Sequence, residues 1–491
     1  MSPALLLTII VLYFLLLGAV TLATSRDDSN QVFFRAGRNS PWYVVAFGMI
    51  GASLSGVTFI SVPGWVGTTQ FSYLQIVIGY LFGYLLISWI LIPLYYKMNL
   101  TSVYEYLRKR FGEKSHKVGA FFFLVSRVLI ASFRLFLVAT VLQHFILGAW
   151  GIPFELTVVI SILFIWLYTF RSGIRTIVWT DTLQTFFMLT SLIAAIFILL
   201  AALDVSAAEF IASDAFERHS KMFFHEDFRD RKHWLKSLFG GMMIALAMTG
   251  LDQDNMQKNL TCRSIKEAQK NIISLGFVLI PVNLIFLFLG ALLFVYAEQT
   301  GLAIPMMDGQ EKTDLLFPEI ALNQGLSPLL GIAFLLGLIA AAYSSADSAL
   351  TSLTTSFSID FMDIGQREEK ERKRLRKRIH VLFSVLLVLV IISYRHVLKD
   401  NVIASLLQVS SYTYGPLVGL FSFGLLTTHQ IKEEWIWPVV LLSVTATYFL
   451  NLYSRELLWG YQFGYEILLF NGAFTYAGLY LIRKRNGSDQ N

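Results

Sequence analysis

The chain has 491 residues, of which 55% are hydrophobic, 15% aromatic and only 15% charged, with a mean hydropathy of +0.61. That balance is too apolar for a soluble globular domain and indicates an all-α polytopic membrane protein, because a backbone surrounded by lipid must satisfy its own hydrogen bonds. With one cysteine, Cys262, no internal disulfide can form, and a net charge of +6 is informative only through where the charges fall, so neither redox chemistry nor nucleic-acid binding is indicated.

About 20 apolar residues cross a bilayer core. Thirteen such stretches occur, near 3–24, 41–66, 70–96, 118–147, 153–170, 178–203, 235–257, 271–297, 317–362, 379–397, 402–426, 434–451 and 457–482. No basic residue precedes the first of them and Arg26 follows it, so it reads as a retained helix rather than a cleaved signal. The second contains GASLSGVTFISVPGWVG, in which Gly51, Ser53, Ser55, Gly56, Thr58, Ser61, Pro63 and Gly64 interrupt an apolar run and predict a helix broken within the membrane. The fourth carries Arg127 and Arg134, seven residues apart and therefore on one face. A second interruption, AMTGLDQDNMQKN, ends the seventh and holds Thr249, Asp252 and Asp254. In the ninth, Ser327-Pro328 sets off a short preceding piece from the sequence AAYSSADSALTSLTTSF. Tyr412 to Pro416 breaks the eleventh, most simply as a proline kink.

Lysine and arginine fix the orientation by the positive-inside rule. The loops 24–40, 97–117, 171–177, 258–270, 363–378 and 427–433 and the tail from Arg483 hold 27 basic residues, against 10 on the other side, which predicts an outside N-terminus and a cytoplasmic C-terminus. The run Arg367 to Arg378 reads as a solvated helix end near anionic lipid headgroups, and the glycosylation patterns at Asn99 and Asn259 fall on the cytoplasmic side as coincidences. The two interrupted spans suggest a five-plus-five arrangement, 41–203 and 235–426, whose halves begin on opposite sides and so form inverted repeats. The segment 1–40 precedes them, a loop at 204–234 separates them, and two further helices and a tail, 427–491, follow.

Polar groups inside a lipid-facing span are costly and by default serve function. In the ninth span Ala341, Ser344, Ser345, Ser348, Ser352 and Thr355 recur at three- and four-residue spacing on one helical face, with Asp347 at its edge. Hard oxygen donors in a compact space suit an alkali cation, sodium above all. Small and hydroxyl residues also allow close helix packing; the carboxylate of Asp347 favours ion binding.

These segments together, GASLSG…VPGW, RSGIRTIVWTDTLQ, GLDQDNMQKNL and AAYSSADSALTSL, make a chain that resembles the sodium:solute symporter family over nearly its whole length. The resemblance implies a leucine-transporter-type fold with one extra helix in front and two behind, in a bacterial inner membrane, working as a monomer that imports a small organic solute on the sodium gradient. It implies a principal sodium site made by backbone carbonyls at Gly56 and Phe59 with Ala341, Ser344 and Ser345. A second site found in some members corresponds to Asp181, Asp347 and Ser348. Asp347 stands where the family usually has Ser or Thr, so either a second sodium ion or a proton is expected beside the two carboxylates. No organic cofactor is implied.

In sialic-acid-transporting relatives an arginine at a position like that of Arg134 binds the substrate carboxylate. An internal ion pair with Asp252 or Asp347 is the other role open to it. Arg127 reads as structural, while Thr58, Ser61 and Thr249 are candidate substrate contacts, and Asp252 is either a contact or a helix cap. An enzyme is not indicated, since no paired-histidine or HExxH motif occurs. The alternatives are a proton-coupled symporter and a transporter-like sensor; the substrate can be a sialic acid, another carboxylate, a sugar or an amino acid.

Overall fold

The computed structural model describes residues 3–24, 39–169, 174–307, 309–364, 367–397 and 402–484. Most of the 24–40 loop, Arg171 to Gly173 of RSGIR, Lys399 and the tail beyond Lys484 lie outside the described residues. The principal helices are α1 (Pro3–Thr24), α2 (Trp42–Thr69), α3 (Tyr73–Lys97), α4 (Glu113–Phe145), α5 (Phe154–Thr169) and α6 (Ile174–Ala202). There follow α7 (Trp234–Gly250), α8 (Gln253–Asn259), α9 (Ile265–Thr300), α10 (Leu316–Leu322), α11 (Pro328–Ser356) and α12 (Glu369–Val397). The chain ends in α13 (Val402–Thr413), α14 (Gly415–Leu426), α15 (Ile436–Leu452) and α16 (Ile467–Leu481).

Among the described residues seven helices are long and apolar enough to cross a bilayer, and the pair α7 and α8, bent by 69°, makes an eighth span. Shorter apolar helices fill the other predicted stretches, and α12 begins inside the charged run. Helix length alone thus carries eight crossings of the thirteen expected. Arg376, expected to be solvated within that run, is buried.

The helices group by contact. α7 lies along α3 and α9 along α2 and α3, forming one four-helix group; α4, α5, α11 and α12 pack together as a second. Helix α6 runs against both α2 and α11, and α13 against α4. Helices α2, α4 and α11 are buried almost throughout, whereas α5 exposes Leu156, Val159, Leu163 and Leu167 and α15 exposes Leu441, Leu442, Phe449 and Leu452. A rim of large apolar side chains around a polar-containing centre is the arrangement lipid demands.

Each helix break has a local cause. At Ser55 the backbone turns to φ 53° and ψ 171°, a region costly for any residue with a side chain, and the run of small residues around it offers little to hold a regular turn. Helix α7 loosens into a π turn at Leu246–Gly250, and α8 restarts because the Asp252 carboxylate accepts from the backbone N–H of Asp254 (2.9 Å) and Asn255 (3.3 Å). Helix α10 ends before Gly325, whose φ of 67° suits glycine, and Ser327 caps α11 with Pro328 in its first turn.

Candidate functional site

The broken helix α2 leans directly on α11. A Cβ added to Gly56 would lie 3.3 Å from Ala342 Cα and 3.0 Å from a Val138 methyl of α4, so glycine favours this close approach. One turn on, Phe59 is fully buried, its ring set among Phe286, Phe317 and Phe334, which leaves only its backbone for ion binding. Ala341, Ser344 and Ser345 are all buried, and the Ser345 hydroxyl donates to the Ala341 carbonyl at 3.3 Å. Two of the oxygens expected to hold sodium therefore converge on one turn of α11, opposite the break in α2.

Ser344 points elsewhere. Its hydroxyl donates to Asp181 Oδ1 of α6 at 2.6 Å, and Asp181 Oδ2 lies 2.7 Å from the ammonium of Lys258. Lys258 and Asp181 are each 1% exposed. In sequence Lys258 counts among solvated loop residues; in the structure it is the penultimate residue of α8 and wholly interior. Of the residues expected at a second site, Asp181 is joined to Lys258 and Ser344, and Ser348 donates to Asp347 Oδ1 at 3.3 Å. Helix α2 closes over this pair at Gly48, where an added Cβ would meet Asp181 Cβ at 3.1 Å.

Beside the Ser55 break lies a cavity. Ser53, Thr58, Arg134 and Thr249 reach it, as do Tyr73, Tyr80 and Tyr84 of α3 and Asn255 of α8. Asn283 of α9 also lines it, and Ile403, Leu406 and Leu407 of α13 form an apolar wall. Arg134 Nη1 donates to the Ala52 carbonyl at 3.4 Å, its Nε has no hydrogen-bond partner, and it forms no ion pair with any described residue. The pair with Asp252 or Asp347 is therefore not formed. Asn283 donates to the Leu279 carbonyl at 2.7 Å, but its own side-chain carbonyl is buried without a partner. Buried polar atoms are normally satisfied, so the Arg134 donor and the Asn283 acceptor are open to a ligand in this cavity.

Two candidate contacts fall outside this wall. Ser61 is fully buried away from the cavity, and Asp252 is the cap of α8, accepting in addition from the Tyr414 hydroxyl at 2.5 Å. Arg127 pairs with Asp254 and lies 3.9 Å from Asp252. The tyrosines went unnoticed in the sequence although Tyr73, Tyr80 and Tyr84 stand seven and four residues apart, a one-face spacing within an otherwise apolar helix. Asn283 offered a weaker signal, a lone amide two residues after Pro281.

A family model described as the sodium:solute symporter family matches residues 33–432. The chain is 26% identical over 436 residues to the sodium/sialic acid symporter NanT of Aliivibrio fischeri, across 86% of this chain and 82% of that protein. It is likewise 26% identical over 420 residues to the sodium/sialic acid symporter SiaT of Proteus mirabilis, across 82% and 80%. A solved structure of a Na+-coupled sialic acid symporter, substrate-bound and outward-open, has a similar fold, with a TM-score of 0.82 at 19% identity over 98% of this chain and 99% of that one.

Proposed function

The chain belongs to the sodium:solute symporter family, and from that premise we propose that it imports a small acidic solute carrying hydroxyl or amide groups, of the sialic-acid kind. It is a multi-pass membrane protein that drives solute symport with sodium. The observation that carries the substrate reading is the guanidinium of Arg134, which reaches the cavity with no acidic partner, while the other two buried cations near the break, Arg127 and Lys258, each meet a carboxylate. A planar fork of N–H donors suits a carboxylate held in a dry site. Thr58, Thr249 and Asn283 then offer donors and acceptors to the rest of the solute.

The driving ion binds between the Gly56–Phe59 backbone and the Ala341 carbonyl and Ser345 hydroxyl, with the Ser344 hydroxyl turned to Asp181. Sodium there ties α2 to α11, one helix from each four-helix group, and completes the cavity that Arg134 enters from α4. Loss of the ion on the far side frees the groups to rock against each other around the site. We assign the segments 41–203 and 235–426 to inverted repeats, each contributing two helices to either group, crossing the inner membrane with the N-terminus outside and the C-terminus in the cytoplasm. The shorter apolar helices complete thirteen spans, and the unit of transport is the monomer.

Uptake of radiolabelled N-acetylneuraminate into proteoliposomes tests this reading. An inward sodium gradient drives accumulation, and neutral hexoses do not compete. Accumulation driven by a proton gradient alone would reassign the coupling ion, and competition by neutral sugars but not by carboxylates would remove the role given to Arg134.

A further inference from the structure

Helix α8 carries two ionisable groups of opposite sign, Asp254 and Lys258, at the four-residue spacing that normally pairs them on a helix face. Here they are separated. Asp254 is taken by Arg127 of α4, and Lys258 crosses to Asp181 of α6, its Nζ 2.7 Å from Oδ2. The other oxygen of Asp181 accepts from Ser344 at 2.6 Å, and α2 backs onto the carboxylate at Gly48. Asp181 is thus a buried carboxylate with one oxygen on a hydroxyl, the other on a compact unit charge, and a helix packed behind it.

We propose that Lys258 is a tethered cation standing where a second sodium ion would bind, so that this symporter moves one sodium ion per solute. The inference rests on the sodium-coupled reading above. A carboxylate and a serine hydroxyl, without an ammonium, are the hard oxygen donors an alkali cation takes. A sodium ion on Asp181 Oδ2 would lie within a few ångströms of the Lys258 charge, with little water to screen the two. Because the ammonium is fixed to the helix, its effective concentration at the carboxylate exceeds that of any free ion. Asp181 therefore neutralises a residue of the protein and is withdrawn from the set of sodium ligands.

Equilibrium binding of radioactive sodium alone to the purified full-length chain in lipid nanodiscs decides the matter. The wild type is expected to bind one ion, Lys258→Arg one, and Lys258→Gln two, since the uncharged side chain leaves Asp181 and Ser344 open. Asp181→Asn is expected to keep the wild-type count. Two ions on the wild type, an unchanged count on folded Lys258→Gln, or loss of an ion in Asp181→Asn would each overturn the proposal. If Lys258→Gln does not fold, the wild-type and Asp181→Asn counts still separate the two arrangements, since a sodium-binding Asp181 gives two ions falling to one. No ion on the wild type would strike the sodium reading itself, a different failure from a count of two.

Discussion

Arg134 enters the cavity with its Nε unmet and a single long hydrogen bond, 3.4 Å, to the Ala52 carbonyl. A lysine there keeps the charge but loses the fork, and hydrogen bonds to a charged group contribute about 1.5–3 kcal/mol each. Arg134→Lys is therefore expected to raise the KM for N-acetylneuraminate uptake by about 10- to 100-fold, with sodium binding in the absence of solute unchanged. At Ser345 the split runs the other way. Its hydroxyl sits on the Ala341 carbonyl, so Ser345→Ala is expected to raise the sodium concentration for half-maximal uptake by about tenfold, while solute affinity at saturating sodium stays near wild type. Unchanged sodium dependence would remove Ser345 from the site. Both residues were legible in sequence, because an arginine or a run of hydroxyls in an apolar span breaks the pattern. Lys258 was not: four basic residues fall in 258–270, and only the fold shows that the first of them turns inward to Asp181.

Helix α8 is the element on which the interior charges converge. Every residue from Gln253 to Asn259 is buried, and Asp252, Asp254 and Lys258 join this short helix to Tyr414 between α13 and α14, Arg127 of α4 and Asp181 of α6. Removing one member of a buried pair leaves the other charged, dry and unpaired, at about 3–5 kcal/mol, whereas replacing both by apolar side chains of similar volume is often neutral. Arg127→Met is accordingly expected to lower stability by about 3–5 kcal/mol, and the double variant Arg127→Met, Asp254→Leu to recover most of that loss. Thermal unfolding in detergent reads both; additive losses would mean that the two side chains do not act as a pair. The bend that creates α8 was visible in Thr249-Gly250 and the capping Asp252. Its partners were not, since they lie more than 70 residues away in sequence and pairing at such range follows from packing alone.

Across the whole molecule, the two sites as proposed lie on the same seam between helix groups. Sodium, as assigned, joins α2 of one group to α11 of the other, and the solute cavity is walled by α2, α3, α7 and α9 with Arg134 reaching in from α4. Whatever holds those groups in register for one ligand has already met part of the ordering cost for the other. Thermodynamic linkage then requires equal coupling in both directions: if sodium tightens solute binding by some factor, solute tightens sodium binding by that same factor, for such systems about 5- to 150-fold. The expected result is a fall of that size in the Kd for N-acetylneuraminate on exchanging potassium for saturating sodium, matched by an equal fall in the sodium Kd on adding saturating solute. Isothermal titration measures both. Breaking the seam should uncouple the ligands without abolishing either. Gly56→Ala sets a methyl 3.0 Å from Val138 and 3.3 Å from Ala342, tighter than ordinary contact, so the two groups are held apart where the ion would join them. In that variant the coupling factor is expected to shrink towards one while sodium-free solute binding persists, because the added methyl faces Val138 and Ala342 and the side chains that line the cavity keep their chemistry. Solute affinity indifferent to sodium in the wild type would mean that the two sites do not share the seam.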